Sequence, residues 1–302
     1  MSESSRLVAL NTGRSSFLRG VACVVVSTIF VLVPPFGTTK ADSQQYFVVA
    51  RVDAKSPELA PGEVVVKIGN MSVLATAIRT SPDSPRNIAI VMDAGPDQAN
   101  VLSREKELAI ALINDLFDAS TSFTIASVGT LSKTQATTLD RSVAIQHIRE
   151  IVGDTGKKSN VAIYDAIGSA ILQISLSPGF RVVIFIGEGN DGGSRTRYAE
   201  LRSLAESNQV AFLAALVADH SVRGAKSILR YGWTLQELTS DTAGVFLENQ
   251  KAPKATRRLS EAVQGLRLIA FEMPSVQPGR YRVSVSAWKG KRLRAQKAIV
   301  IP

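Results

Sequence analysis

The sequence predicts an α/β fold, a doubly wound and mostly parallel sheet, with a small β unit built from the N- and C-terminal strands. Three apolar runs, at residues 88–92, 181–186 and 210–217, support the parallel sheet. They lack the polar alternation of a half-exposed strand, so each suits a strand that is buried on both faces. Helical patterns separate these runs, and strands that alternate with helices are typical of a parallel sheet covered on both sides.

The region before the first apolar run reads as β structure. Residues 46–52, 63–68 and 71–79 have strand patterns, and Pro61-Gly62 supplies a turn before the second of them. Residues 80–86 are rich in proline and serine, which is typical of a linker. We therefore assign 42–86 to N-terminal strands and a linker, and 87–273 to the α/β domain.

The α/β domain is expected to contain six helices and further strands between them. The helices are predicted at 103–117, 142–152, 161–174, 196–207, 229–240 and 256–263. The remaining strands are predicted at 123–128, 245–247 and 266–271. After Pro274 a strand at 279–288, a turn at 289–291 and a return strand at 292–301 form a hairpin, which we expect to pack against the N-terminal strands.

The first 41 residues have the composition of an export signal. Arg6, Arg14 and Arg19 precede an apolar run at 21–33, which is short for a membrane-spanning helix. This pattern predicts a signal peptide cleaved near Ala41 and a secreted, periplasmic or envelope-associated bacterial protein. An uncleaved N-terminal membrane anchor is the alternative.

The chain is basic, with 35 Lys and Arg against 26 Asp and Glu. Such a balance favours anionic partners, and it also serves solubility. Four arginines of the predicted C-terminal hairpin, Arg280, Arg282, Arg292 and Arg294, form a candidate stripe for an anionic envelope surface. The competing interpretation is that these arginines form a solvent-exposed face, which keeps an edge strand from pairing with another chain. Few aromatic residues interleave these charges, so no nucleic-acid partner is expected.

Two short motifs and the order of the elements resemble a known family. Residues 161–166 read Val-Ala-Ile-Tyr-Asp-Ala, residues 278–283 read Pro-Gly-Arg-Tyr-Arg-Val, and Asp93 ends the first apolar strand. Together with the strand-helix alternation, they resemble the von Willebrand factor type A domain, in its exported acidobacterial subset. The resemblance implies a Rossmann-like sheet with a metal-ion-dependent adhesion site at its carboxyl edge.

The resemblance places five residues of this chain at the family's metal-binding positions. Asp93 matches the family aspartate. Gly95 and Asp97 stand where two serines are expected, Val161 stands in place of a threonine, and Glu188 stands in place of an aspartate. The site is therefore degenerate, since two positions have lost their side-chain oxygen.

Three carboxylates remain as candidate metal ligands: Asp93, Asp97 and Glu188. Mg²⁺ requires near-ideal octahedral oxygen coordination, whereas Ca²⁺ tolerates a less regular ligand set. We expect no cofactor and an edge without metal, with Mg²⁺ or Ca²⁺ as the alternative. The resemblance implies that the loops around Asp93, Asn160 and Glu188 form the partner-binding edge.

A nucleotide site is the main competing interpretation. Residues 187–192 read Gly-Glu-Gly-Asn-Asp-Gly, which matches the dinucleotide-binding fingerprint after a strand and before a helix. Against it, Glu188 and Asp191 would place carboxylates beside a pyrophosphate.

The sequence thus predicts an exported, non-enzymatic protein-interaction or adhesion-type module with an unknown protein partner. A nucleotide-binding enzyme that uses the loop at 187–192 is one alternative. A structural component of the bacterial envelope is the other.

Overall fold

The structure is a computed structural model. It describes residues 43–53, 58–98, 100–129, 133–134, 136–154, 161–217, 226–274, 276–287 and 291–301. These residues belong to one compact unit. The expected signal peptide or anchor at 1–41 lies outside them. Within the described ranges, no helix has the length and apolar character needed to cross a membrane.

The predicted α/β fold is confirmed, and its centre is a six-stranded, mostly parallel sheet. Its strands are β4 (Arg86–Asp93), β5 (Thr121–Val128), β6 (Lys133–Thr134), β7 (Phe180–Gly187), β8 (Val210–Leu216) and β9 (Phe246–Glu248). The order is β6-β5-β4-β7-β8-β9, and only the edge strand β6 is antiparallel to its neighbour. Every residue of β4 and β8 is buried, as expected for strands covered on both faces.

Six helices cover the two faces of this sheet. They are α1 (Leu102–Leu116), α2 (Arg141–Glu150), α3 (Ile163–Ser175), α4 (Tyr198–Ser207), α5 (Lys226–Asp241) and α6 (Ala252–Gln264). Leu108 of α1, Ile148 of α2 and Leu259 of α6 share one apolar cluster with β4. Ile167 of α3, Leu201 of α4 and Leu235 of α5 belong to a second cluster on the other face. The helices therefore form one layer on each side, as the doubly wound prediction requires.

A second sheet is antiparallel throughout. Its strands are β1 (Ser43–Arg51), β2 (Val65–Ile68), β3 (Met71–Thr80), β10 (Leu266–Pro274), β11 (Gly279–Ala287), β12 (Lys291–Arg292), β13 (Arg294–Ala295) and β14 (Ala298–Ile301). Strand β11 pairs antiparallel with β2, so a C-terminal strand and an N-terminal strand are neighbours in this sheet. Val48, Ile269 and Val285 lie in the core of this sheet.

Strand β10 pairs differently from what the alternation of strands and helices suggested. It lies within the range 87–273 expected for the α/β domain, yet it pairs antiparallel with β1 and with β3 in the second sheet. The nine-residue register with β1 runs from Ser43 opposite Pro274 to Arg51 opposite Leu266. Because α6 leads directly into β10, the chain passes from one sheet to the other without a linker.

The prediction of one continuous return strand at 292–301 is wrong. The chain first pairs with β11 at Arg292, then with β1 at Arg294, and returns to β11 from Ala298. The buried Gln296 interrupts it, since its backbone N–H donates to the Val49 carbonyl and its side-chain amide donates to the Glu206 carbonyl, at 2.8 and 2.7 Å. These bonds connect Gln296 to strand β1 and to helix α4. The predicted turn at 289–291 lies mostly outside the described residues.

Candidate functional site

The carboxyl ends of the central strands bring the predicted acidic residues to one edge. Met92 of β4 is in register with Ile186 of β7, so Asp93 and Glu188 follow at neighbouring strand ends. Both side chains are buried, with 3% and 7% of their surface exposed. The grouping of Asp93 with Glu188 that the sequence suggested is therefore found in the fold, but beneath the protein surface.

Asp93 carries a strongly perturbed carboxyl group. Burial raises its pKa to about 7, and the nearby Glu188 adds to the rise, although backbone N–H groups of Gly95, Glu188 and Gly189 oppose it. The Gly95 amide donates to Oδ1 of Asp93 at 3.0 Å. A carboxyl with this pKa holds a proton over much of the acidic range, since desolvation disfavours its charged form.

A third acid, Glu105, joins this group and was missed by the sequence analysis. It is fully buried in α1, and its two carboxyl oxygens have no hydrogen-bond partner among the described residues. Burial raises its pKa well above the ordinary value, and the charges of Asp93 and Glu188 raise it further. Helical spacing could have predicted its burial, because Glu105 lies three residues before Leu108 and so on the same helix face, which points into the core.

Gln98 fixes the orientation of Glu188. Its side-chain amide donates to Oε2 of Glu188 at 3.2 Å, and both side chains are buried. Gln98 lies at the end of a 3₁₀ turn, Pro96–Gln98, that follows β4. The turn formers that follow Asp93 in the sequence thus place the side-chain amide of Gln98 against Glu188.

The described residues do not fit the family's metal ion. A Cβ added at Gly95 would lie 3.0 Å from Oδ1 of Asp93 and 3.1 Å from a methyl of Val161, so a serine there would require these side chains to shift by a few tenths of an ångström. The cavity between Asp93, Val161 and Glu188 measures about 10 Å³, roughly the minimum for one water molecule. Within the described part of the chain, no three His, Cys, Asp or Glu side chains are arranged to hold a metal.

Two of the predicted site residues lie outside what the structure describes. Asn160 falls in the gap at 155–160, and the side chain of Asp97 is likewise undescribed, although its backbone belongs to the 3₁₀ turn. Their assignment to the partner-binding edge and to the metal site stays a prediction.

The glycine-rich loop at 187–192 has an internal structural role. The Asp191 carboxylate accepts from the backbone N–H groups of Ile163 and Tyr164 at 2.8 and 3.4 Å, which caps the first turn of α3. The backbone N–H groups of Gly192 and Gly193 donate to the Val161 carbonyl. These amide groups already donate hydrogen bonds within the protein and do not point at a ligand. The loop geometry therefore does not favour a bound pyrophosphate.

Asp165, in the Tyr-Asp-Ala motif, anchors the same loop from the other side. Its carboxylate accepts from the backbone N–H groups of Arg195 and Thr196 at 3.0 and 2.8 Å. Partial burial raises its pKa, but hydrogen bonds from Thr196 and Arg195 outweigh that effect and lower the pKa overall. The motif therefore holds the loop at 188–197 against α3.

Replacing Gly187 with Ala is expected to destabilise the protein by about 1–3 kcal/mol, the usual range for overpacking. The backbone φ of Gly187 is +156°, and an added Cβ would lie 2.2 Å from Cβ of Asp93. Urea denaturation measures the loss. Gly62→Ala is the control, because nothing lies within 4 Å of a Cβ at that position. Equal losses for the two variants would contradict the close packing of β7 against Asp93.

The four arginines of the predicted stripe have different environments. Arg280 donates two hydrogen bonds of 2.6 Å to the carboxylate of Glu206, whose side chain is fully buried. Arg282 and Arg292 are exposed and line a common groove. Arg294 lies opposite Arg51 in the pairing of β13 with β1. The structure thus assigns Arg280 a structural contact and leaves the other three at the surface.

A mostly parallel sheet between two helix layers, with Asp93 at the carboxyl end of its central strand, defines a doubly wound α/β protein. This particular chain has matches among solved structures of von Willebrand factor type A domains. It is similar to a von Willebrand factor type A protein from Catenulispora acidiphila, at 10% identity and a TM-score of 0.49, covering 88% of this chain and 74% of that one.

Two further neighbours match a shorter part of this chain. BatB from Bacteroides thetaiotaomicron is 18% identical, with a TM-score of 0.40, and the match covers 59% of this chain and 96% of that one. An aerotolerance-related membrane protein from Bacteroides fragilis is 14% identical, with a TM-score of 0.43 and coverage of 59% and 98%. No family model and no curated protein matches the sequence.

Proposed function

We propose that this chain is an exported, non-enzymatic protein-interaction module that binds its partner through the loops at the carboxyl edge, without a metal ion. The observation that carries the proposal is the burial of Asp93, Glu105 and Glu188 together at that edge. In a metal-dependent site the acids must reach a cation that a partner also contacts. Here the acids lie beneath the loops, so the loop surfaces themselves are left to make the contact.

The loop at 188–197 supplies much of the proposed contact surface. Gly192, Gly193, Arg195 and Arg197 are exposed on it, and the anchors at Asp165 and Asp191 hold its backbone in place. Val152 exposes 81% of its surface, in a segment connected to the carboxyl edge by a 2.8 Å bond from the Asp154 amide to the Ala94 carbonyl. A preformed loop loses little entropy on binding, which favours recognition. We name these five residues, Val152 with the four of the loop, the rim.

The shape of the edge supports a binding role over catalysis. The cavity beside Asp93 and Glu188 is about 10 Å³, and sites for small molecules are usually about 300–1,000 Å³. The carboxylates of Asp165 and Asp191 are engaged with backbone amides. Among the described acids, Asp93 and Glu188 are buried, and Asp165 and Asp191 hold loops. Export rests on the basic and apolar composition of the segment at 1–41.

Site-specific photo-crosslinking in the source cells tests the proposal. A photoreactive phenylalanine at Arg195 is expected to give protein adducts, identified by mass spectrometry, because this position lies on the rim. The same residue at Ser177, which precedes β7 and so lies at the opposite edge of the sheet, is the control. Chelation of divalent ions should leave the adducts unchanged. Adducts from both positions alike, or adducts lost on chelation, would contradict a metal-free rim.

A further inference from the structure

A concave, strongly basic surface lies on the second sheet, away from the carboxyl edge. One groove of about 600 Å³ runs between the end of α5, α6 and the last strands of the chain. A neighbouring groove of about 390 Å³ shares Val283, Ser284 and Arg292 with it. We name the two together the basic trough. The cationic side chains that line it are Lys67, Arg258, Arg282, Arg292, Arg294 and Lys297.

The positive charge of the basic trough is poorly compensated. Among the described residues that line either groove there is no Asp or Glu. Lys297 pairs with Asp241 at 2.9 Å, whereas no ion pair to a described acid is found for Arg258, Arg292 or Arg294. Surface cations of a folded protein are normally interspersed with acids, so a one-sign concave surface points to an anionic ligand.

A buried arginine strengthens the field behind the trough. Arg51 is 6% exposed and donates to the carbonyl of Gly244, a lining residue, at 2.7 Å. The pKa of Arg51 is lowered to about 10, mainly by burial and in part by the charges of Arg294 and Arg258, with Asp53 opposing them. Three arginines from β1, α6 and β13 therefore lie close enough to repel one another. An anion between them would relieve that repulsion.

We propose that the basic trough binds a soluble anion that carries two or more phosphate groups. The planar guanidinium group matches phosphate oxygens with paired hydrogen bonds, and Arg258, Arg292 and Arg294 offer three such groups along one groove. Ser240 and Ser284 add hydroxyls to its lining. A volume of about 600 Å³ lies in the range of small-molecule sites, so a discrete ligand fits the concave shape better than a flat bilayer does.

Calorimetry with inorganic tripolyphosphate tests this site in the full chain. Saturable binding that weakens with added salt is expected, because ions screen exposed charges. The Arg258→Gln variant and the combined Arg292→Gln and Arg294→Gln variant should each bind at least about tenfold more weakly, the effect of losing a charge-assisted hydrogen bond. Monophosphate should bind more weakly than tripolyphosphate, since it spans fewer of the arginines.

The matched control is Arg257→Gln, on the same helix and with the same loss of charge. Arg257 is outside both grooves and reaches Glu261 at 3.9 Å instead. Its affinity for tripolyphosphate should equal that of the unmodified protein, and melting curves should show that all variants fold. If Arg257→Gln and Arg258→Gln weaken tripolyphosphate binding equally, the effect comes from net charge alone and the proposal is overturned.

A second arm separates a soluble ligand from a lipid headgroup. Co-sedimentation with phosphatidylglycerol vesicles is expected to show little binding at the salt concentration where tripolyphosphate binds. If the protein sediments with the vesicles but calorimetry shows no heat of tripolyphosphate binding, the proposal is overturned in favour of a membrane surface. Because the carboxyl edge takes no part in either measurement, failure here leaves the proposed partner-binding role untouched.

Discussion

The Asp93→Asn variant is expected to be more stable than the unmodified protein above pH 7, by on the order of 4 kcal/mol. The figure follows from a pKa raised from its ordinary 3.8 to about 7, with each pKa unit corresponding to about 1.4 kcal/mol. Asparagine keeps an oxygen for the Gly95 amide but carries no charge. It therefore removes the cost of ionising a carboxyl group beside Glu105 and Glu188.

The sign of the pH dependence follows from proton linkage. A raised folded-state pKa means that, between pH about 4 and about 7, the folded protein holds a proton that the unfolded chain has released. The contribution of Asp93 is fully present below pH about 4 and is lost as pH rises to about 7. The Asp93 contribution to the unfolding free energy should fall across that window and then level off. Glu105, whose pKa is also raised, adds a fall of its own, so the total fall in Asp93→Asn should be smaller than in the unmodified protein but not absent. Urea denaturation at a series of pH values measures it.

Asp140 provides a control of opposite sign. It caps α2, and hydrogen bonds from Ser142 and Val143 lower its pKa. Its contribution is present at neutral pH and lost as pH falls, so Asp140→Asn should be less stable than the unmodified protein at pH 7. The expectation for Asp93 fails if Asp93→Asn destabilises the protein at pH 8, or if Ca²⁺ or Mg²⁺ raises the melting temperature only when Asp93 is present. Either outcome would indicate that the Asp93 carboxylate is ionised in the folded protein, and stabilisation by Ca²⁺ or Mg²⁺ would show that a cation holds it.

Removing Arg280 is the second substitution with a large expected effect. The Arg280→Met variant should lose about 3 kcal/mol, because it leaves the carboxylate of Glu206 buried without its cation. Breaking one side of a buried ion pair usually costs about 3–5 kcal/mol, and the lower end applies here because the Arg280 side chain is 45% exposed. The pair joins β11 of the second sheet to α4, one of the helices that cover the first sheet. Its loss therefore loosens the contact between α4 and the second sheet.

A double-variant cycle and a matched control separate this pair from a general loss of charge. The combined change Arg280→Met and Glu206→Gln should cost much less than the sum of the two single changes, because no uncompensated charge remains. Arg282→Met is the control, since Arg282 lies two residues further along the same exposed face of β11. It should change stability by no more than about 0.5 kcal/mol. Equal effects of Arg280→Met and Arg282→Met would contradict the buried pair.

The strands of the parallel sheet could be predicted because a strand that is buried on both faces appears in the sequence as a continuous apolar run. The apolar runs that became β4, β7 and β8 have no alternation of polar and apolar residues, so their pattern alone indicates strands covered on both faces. The position of Asp93 at the end of such a run placed it at the carboxyl edge. Glu188 was grouped with it through the family resemblance, and the pairing of β4 with β7 places the two acids at neighbouring strand ends.

The partners of the polar side chains could not be predicted in this way. Arg280 alternates with apolar residues as any exposed strand residue does, and nothing in the sequence links it to Glu206, 74 positions away. Glu105 was hidden in a helix whose other buried positions are apolar. The pairing of β10 with β1 was also hidden, since its alternation does not say which sheet it joins. Each of these depends on which surfaces meet when distant segments pack.

By itself, the sequence determined the class of fold, the position of the elements and the edge at which the acids gather. These follow from hydrophobic periodicity and chain direction, which act over a few residues at a time. The tertiary structure alone decided that the acids are buried, that Asp191 caps a helix from another loop, and that arginines from β1, α6 and β13 lie close together. Burial and charge proximity are properties of packed surfaces, and those exist only once remote parts of the chain are brought together.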